Sequence, residues 1–303
     1  MHSETISKYA AAVPRYTSYP TAPHFSPRIG ELQYIDWLDQ LKPGTRLSLY
    51  AHIPFCHQLC WYCGCNTKAT HKYPPVAHYL HYLRREIANL SAIVPKPHTI
   101  GHLHWGGGSP NILSAKDIES LAGDFFARFN VDADMEFGVE IDPRYLTIEQ
   151  VGAFASVGVN RVSFGVQDFD SAVQAAIGRR QSFDQTERAI RAFRERSVTS
   201  INIDLMYGLP LQTRGSVDRT VEKVLALSPD RIATFGYAHL PTRMPQQRLI
   251  DATALPDAVE RYGQASRIAR RLVEHGYIRV GLDHFAKPTD ALAGTKISRN
   301  FQG

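Results

Sequence analysis

Apolar residues recur along this chain in two alternating rhythms. Short apolar runs rich in β-branched and aromatic residues occupy 46–53 (RLSLYAHI), 100–105, 135–141, 161–166, 200–206 and 231–237, and each is predicted as a strand. Between them lie stretches of helical periodicity at 76–90, 115–129, 148–157, 183–196, 217–227 and 258–274. Ser114 and Thr147 stand where two of these helices need N-caps. In 183–196, Phe183, Ile190 and Phe193 share one face, and Glu187 stands four residues before Arg191. A further short strand is predicted at 276–280. Residues 1–30, rich in Pro, Ser, Thr and Tyr, read as an irregular but ordered arm.

Six strand–helix alternations argue for a parallel sheet wrapped by helices. The chemistry-bearing residues choose between the two ways of building one. A cysteine loop follows the first strand and Gly106-Gly107-Gly108-Ser109-Pro110 the second. Glu140 and Asp142 end the third, Gln167 and Asp168 follow the fourth, and Asp204 lies near the end of the fifth. Unusual residues gathered at the C-terminal ends of many strands are the habit of a (β/α) barrel, so a barrel or part-barrel is favoured over a doubly wound sheet.

Composition narrows the class without changing that picture. The chain has 303 residues, 44% of them hydrophobic and 21% charged, the balance of a globular enzyme. Its apolar runs fall well short of the ~18 residues that span a membrane. The N-terminus lacks a basic start followed by an apolar core, so no secretory signal is expected. A net charge of +5, scattered along the chain, does not call for nucleic acid and suits a small acidic ligand equally well. The arginines of 183–196 read as a solvated face, and His98, His102 and His104 as structural or exposed.

The four cysteines carry the most information. Cys56, Cys60, Cys63 and Cys65 all lie within ten residues, which rules out a disulfide framework and points to a reducing cytoplasm and a metal site. A zinc site is expected to draw ligand pairs from separate segments. One loop with gaps of three, two and one residues wraps a compact cubic cluster more easily. Three thiolates can then hold three irons of a [4Fe–4S] cluster and leave the fourth open. An inert metal staple is the competing reading. Elsewhere, the glycines of 106–108 let the backbone approach a ligand and offer free N–H groups. Arg179 could clamp a carboxylate bidentately. Asp204 is an acid inside an apolar run, which marks a site. Asp142, before Pro143, reads as a turn residue.

The C-x3-C-x2-C loop after the first strand resembles that of the radical S-adenosylmethionine (SAM) superfamily. The segments PRYTSYPTA (14–22), SLYAHIPFCHQLCWYCGCN (48–66), LHWGGGSP (103–110), VEIDPR (139–144), RVSFGVQDF (161–169), NIDLMYGLP (202–210), YAHLP (237–241) and DHFA (283–286) are together similar to the oxygen-independent coproporphyrinogen III oxidase (dehydrogenase) family, over essentially the whole chain. The resemblance implies an α/β fold built as a radical SAM partial (β/α)6 barrel. It divides the chain into an N-terminal arm and lead-in (1–45), a barrel core (46–285) and the start of a C-terminal region (286–303). Family chains continue beyond NFQG, so the last stretch reads as cut short.

The implied reaction is oxidative decarboxylation of two propionates of coproporphyrinogen III to vinyl groups, giving protoporphyrinogen IX in anaerobic haem synthesis. The cofactors would be a [4Fe–4S] cluster and two SAM molecules, one on the cluster and one beside it. The resemblance carries Cys56, Cys60 and Cys63 over as cluster ligands and leaves the role of Cys65 open. It carries Tyr50 and Gly107 to the first SAM and Glu140 to a SAM-binding position that meets the cationic end of the cofactor. Tyr62, Gly108, Ser109, Gln167, Arg179, Asp204 and Ala238 go to the second. Threonine is usual in the family where Ser109 stands, and the hydroxyl is kept. No further catalytic residue is implied, because the radical is borne by the cofactors. The expected partners are coproporphyrinogen III and a reducing donor such as a flavodoxin or ferredoxin, with the chain a cytoplasmic monomer free of nucleic acid and membrane. The alternatives are a haem- or cluster-carrying homologue on the same scaffold, or an inactive fragment.

Overall fold

A computed structural model describes residues 3–10, 21, 24–198 and 200–298. In chain order the elements are α1 (Ser3–Tyr9), α2 (Glu31–Asp39), β1 (Arg46–Ile53), β2 (Phe55–Cys56), β3 (Lys68–Ala69), α3 (Pro74–Ile93), β4 (Thr99–Gly107), α4 (Ala115–Phe126) and β5 (Asn130–Ile141). They continue with α5 (Ile148–Ser156), β6 (Arg161–Gln167), α6 (Ser171–Ala176), α7 (Phe183–Arg194), β7 (Ser200–Tyr207), α8 (Arg214–Leu227), β8 (Arg231–Gly236), α9 (Ala258–Glu274), β9 (Ile278–Val280), β10 (His284–Ala286) and α10 (Ala291–Ser298). The PRYTSYPTA segment lies outside the described residues except for Thr21.

The main sheet runs β1-β4-β5-β6-β7-β8-β10-β9, with the first six strands parallel and the last two antiparallel. Spatial order equals chain order through β8, with no reversal of the kind that defines a doubly wound sheet. β1 and β9 stand at opposite ends of the sheet, which makes this a part-barrel. The short strand predicted at 276–280 forms as β9 and is one arm of an antiparallel β9–β10 hairpin.

The predicted helices form with small shifts set by local chemistry. Ser114 and Thr147 do cap α4 and α5, their hydroxyls accepting the backbone N–H of Asp117 and Gln150. α3 begins at Pro74, where a proline lacks nothing that the first helical turn uses. On α7, Arg191 faces Glu195 at 3.9 Å rather than Glu187. The arm expected to be irregular contains α1, and α2 precedes β1. α6 has only six residues, too few for a readable period, and is started by the Asp170 carboxylate.

The core lies between the sheet and its helices. Trp105, Phe137, Phe154, Phe164 and Phe193 are fully buried there, as are Ile201 and Ile203. The opposite face of the same strands is polar. In β6 and β7 burial alternates residue by residue, with Val162, Phe164, Ile201, Ile203 and Leu205 toward the helices. Ser163, Gly165, Gln167, Asn202 and Asp204 point the other way, into the barrel. Successive side chains alternate across a strand, so this pattern lines the barrel's interior with polar groups while its wall stays apolar.

Candidate active site

A cleft of about 510 Å³ opens at the C-terminal ends of the parallel strands. The loop after β1 forms one wall. Its two ends are zipped together where β2 pairs with β3, which fixes the position of Cys56. Its middle is held from outside. The Trp61 N–H donates to Ile177 O at 3.0 Å, and the Trp61 ring lies where a Cβ on Gly178 would stand, 2.7 Å away. Gly178 has φ +63°, so glycine is needed there on both counts. Its far end is pinned by Gln246 Nε2 donating to Cys63 O (2.6 Å) and Gln247 Nε2 donating to Tyr62 O (3.0 Å).

The thiols of this loop have distinct surroundings. Cys56 Sγ lies 3.4 Å from the Thr67 hydroxyl, and burial pushes its thiol up to about 11. Cys63 Sγ accepts the Cys65 backbone N–H at 3.4 Å, which favours its thiolate, but the hydrogen bond between the two thiols, with burial, outweighs this and raises the Cys63 thiol, while that same bond lowers the Cys65 thiol. Cys60 is buried and accepts from two guanidiniums, Arg179 Nη1 at 3.4 Å and Arg144 Nη2 at 3.5 Å. Two cations aimed at one sulfur suit a thiolate, the form that binds metal. Three sulfurs on one cleft wall fit a [4Fe–4S] cluster. Among the described residues no three His, Cys, Asp or Glu side chains are drawn together as a single ion requires.

The second wall is the glycine turn. Gly107 has φ +107°, and a Cβ there would meet the His52 ring at 2.5 Å. At Gly108 a Cβ would meet the Phe55 carbonyl oxygen at 2.5 Å. The free N–H groups expected of this turn are not free. Gly107 N donates to Glu140 Oε2 (3.1 Å), Gly108 N to Ile53 O (2.8 Å) and Ser109 N to Phe55 O (2.8 Å). The turn packs against β1, the start of the cysteine loop and the Glu140 side chain, and its donors are consumed in doing so.

The floor comes from β5, β6 and β7. Glu140 accepts from Gly107 N, and His104 Nε2 lies 3.4 Å from its other oxygen. His104, read from sequence as structural or exposed, is thus a neighbour of the site. Asp204 accepts from Ser163 Oγ (2.9 Å) and Asn202 Nδ2 (2.8 Å). Burial pushes its carboxyl up to about 6 in spite of the Ser163 hydroxyl, and the charge of Glu140 adds to the rise. Gln167, at φ +69°, ends β6 and turns into the cleft.

Of the predicted residues, Cys56, Cys60, Cys63, Tyr62, Gly107, Gly108, Ser109, Glu140, Gln167, Arg179, Asp204 and Ala238 line this one cleft. Tyr50 does not. It is 58% exposed, stacks on His104 with ring centroids 5.9 Å apart, and meets His52 Nδ1 at 3.0 Å. Asp142 departs furthest from expectation. It does turn the chain, accepting the Arg144 N–H at 3.1 Å, but it is also buried. Its carboxylate holds the Arg144 guanidinium through Nε (2.9 Å) and Nη2 (2.7 Å) and lies 3.5 Å from Arg179. Burial alone would raise its carboxyl; Arg179 and Arg144 outweigh that and hold it below its ordinary value. Asn111, also unforeseen, holds the Asp142 backbone through both N–H and C=O and accepts from Ser109 Oγ at 2.8 Å.

Comparison with known proteins agrees with this geometry. The sequence profile of the radical SAM superfamily matches residues 50–224. The oxygen-independent coproporphyrinogen III oxidase of Bradyrhizobium diazoefficiens is 46% identical over 295 residues, covering 96% of this chain and 66% of that protein. That of Paracoccus denitrificans is 42% identical, covering 99% of this chain and 67% of its own length. The solved structure of the Escherichia coli coproporphyrinogen III oxidase, described as a radical SAM enzyme, superposes with a TM-score of 0.90 at 38% identity, over 97% of this chain and 66% of that one. The chain thus spans about two thirds of the length of the relatives it matches. Radical SAM membership implies a [4Fe–4S] cluster and SAM. No described helix is long and apolar enough to cross a membrane. With the superfamily profile matched over more than half of its residues, a superposable fold and similarity along nearly its whole length, this chain belongs to the oxygen-independent coproporphyrinogen III oxidase family of the radical SAM superfamily.

Proposed function

We propose that this chain acts in the anaerobic conversion of coproporphyrinogen III to protoporphyrinogen IX, by oxidative decarboxylation of two propionate side chains. The observation that carries this reading is the cleft itself. Four thiols, a paired glycine turn and the carboxyls of Glu140 and Asp204 from different strands line it together. The bound cluster and SAM would supply a carbon-centred radical able to take hydrogen from an unactivated C–H bond.

The chain's own residues divide the remaining work. Cys56, Cys60 and Cys63 hold the cluster, and Glu140 receives the cationic end of the first SAM, with Gly107 beside it. Tyr62, Gly108, Ser109, Gln167, Arg179, Asp204 and Ala238 form the berth of a second SAM. Arg179 is already engaged with Gly165 O at 2.5 Å, so it meets a ligand carboxylate as a fixed rather than a mobile cation. The electron donor is a flavodoxin- or ferredoxin-type protein, and the chain works as a monomer in the cytoplasm. Residues 46–285 are the barrel unit that carries the cofactors.

The reading is tested by anaerobic turnover. Reconstituted, reduced protein given SAM and coproporphyrinogen III should release CO2 and 5′-deoxyadenosine in step. Stoichiometric haem binding without SAM cleavage would replace the enzyme by a carrier. A narrower expectation concerns Glu140. Glu140→Gln keeps an acceptor for Gly107 N and removes the charge that faces the SAM cation. A hydrogen bond to a charged group contributes about 1.5–3 kcal/mol, so SAM affinity for the cluster-loaded protein should fall about 10- to 100-fold in a calorimetric titration. Unchanged affinity would remove Glu140 from the first SAM site.

A further inference from the structure

We propose that Arg144 is a positioning residue for the cluster: clamped by Asp142, it donates to the Cys60 sulfur from behind the cysteine loop and sets the cluster's reduction potential. The inference rests on the reading that Cys56, Cys60 and Cys63 hold a [4Fe–4S] cluster.

The three thiols are not equivalent. Cys56 Sγ has a neutral neighbour, the Thr67 hydroxyl, and Cys63 Sγ has the backbone N–H and the thiol of Cys65. Cys60 Sγ alone faces two guanidiniums. Arg144 is a poor candidate for a ligand-binding cation, because it does not line the cleft. It lines two hollows outside that cleft, one with Gln58, Trp61 and Tyr145 and the other with the α7 residues Gln185 and Arg188. Its side chain is nevertheless only 6% exposed, so its charge is largely desolvated. A buried guanidinium is costly unless paired, and Asp142 pairs it in a fork. That fork leaves Nη2 pointing at Cys60. Its Cζ also sits 5.3 Å from the Tyr145 ring centroid, a further restraint on its position.

The arrangement has a direct electrochemical meaning. Reducing a [4Fe–4S] cluster adds one negative charge. A fixed cation that donates to a ligating sulfur stabilises the reduced state more than the oxidised one, and hydrogen bonds to the sulfurs are among the factors that set such potentials. Arg179 acts on the same sulfur but also lines the cleft, so its substitution would disturb ligand binding too. Arg144 separates the two effects.

The test uses wild-type, Arg144→Met and Arg144→Lys chains, reconstituted anaerobically without SAM. Iron and sulfide are assayed, and the midpoint potential is read by dye-mediated titration followed by electron paramagnetic resonance. Arg144→Met is expected to shift the oxidised-to-reduced ratio at fixed potential about tenfold toward oxidised, which is about 59 mV for one electron. Arg144→Lys, which keeps the charge and loses the fork, should fall between Met and wild type. Potentials within error of wild type in both loaded variants would overturn the proposal. Should Arg144→Met fail to fold or load, Arg144→Lys decides alone: a wild-type potential overturns the role, and a lowered one supports it. A wild-type chain that assembles no cluster would instead overturn the ligand assignment itself.

Discussion

Replacing Cys60 by serine is expected to leave a folded chain that binds almost no iron. The reason lies in how the loop divides its tasks. The helix-facing core, with Trp105, Phe137, Phe154 and Phe164, is built without the cysteine loop, so it survives the change. A serine hydroxyl stays protonated near neutral pH, and a neutral oxygen cannot replace a thiolate on iron. The neighbouring thiols offer no substitute. Cys65 lies next to Cys63, whose sulfur accepts its N–H, and could stand in there sooner than at Cys60. Two guanidiniums would also face an uncharged oxygen in place of the sulfur. Wild-type chain should reconstitute to about four irons with the brown absorbance of a cubane cluster. Cys60→Ser should give a colourless protein with an unchanged far-ultraviolet circular dichroism spectrum. A full iron complement in that variant would show that Cys60 is not a ligand.

The sheet was legible because its signals are local. Most of the parallel strands are short, apolar on the face toward the helices and flanked by turn residues, and all six helices between them begin at a proline or at a side chain that accepts a free N–H of the first turn. What the pattern hid was the interior of the barrel. RVSFGVQ and SINIDLMY alternate apolar and polar residues, the signature of a strand with one wet face, although buried parallel strands are usually apolar throughout. That alternation marks Ser163, Asn202 and Asp204 as lining a polar interior. The short elements, α6 and the β2–β3 pair, carry too few residues for any period and are set by the Asp170 cap and by the loop they close.

The site was legible wherever one residue type has few uses. Cysteines with three and two residues between them point to a metal site unaided, whereas glycines in series mark only a close approach of the backbone. Partnership is harder to read, because it depends on separations of many residues. Nothing near Asp142 announces Arg179, which reaches it from beyond β6. The Asp-Pro step reads correctly as a turn, yet the same carboxylate also organises two buried cations. The N–H groups of Gly107, Gly108 and Ser109 are expected to face a ligand, and the Glu140 carboxylate, the end of β1 and the start of the cysteine loop consume them instead. Tyr50 follows the family motif into the barrel but stacks on His104 at the open inner face.

Asp142 accordingly carries the largest expected effect on stability. Asp142→Ala leaves Arg144 and Arg179 buried, with the Cys60 sulfur as a shared acceptor and no carboxylate between them. Removing one partner of a buried ion pair costs about 3–5 kcal/mol, more than the pair itself adds, because an uncompensated charge stays behind. Urea unfolding of the cluster-free chain should show a loss of that size, against under about 1 kcal/mol for an exposed pair such as Arg270–Glu274. The pH dependence supplies an independent check. The Asp142 carboxyl titrates below its ordinary value in the folded chain, so its stabilisation is complete above about pH 4 and declines as pH falls through the depressed value. Wild-type chain should therefore lose stability more steeply below about pH 4 than Asp142→Ala, and the gap between them should narrow there. A loss under about 1 kcal/mol, with parallel acid profiles, would mean that water rather than Asp142 compensates the two guanidiniums, and would leave Arg144 without the clamp that aims it at Cys60.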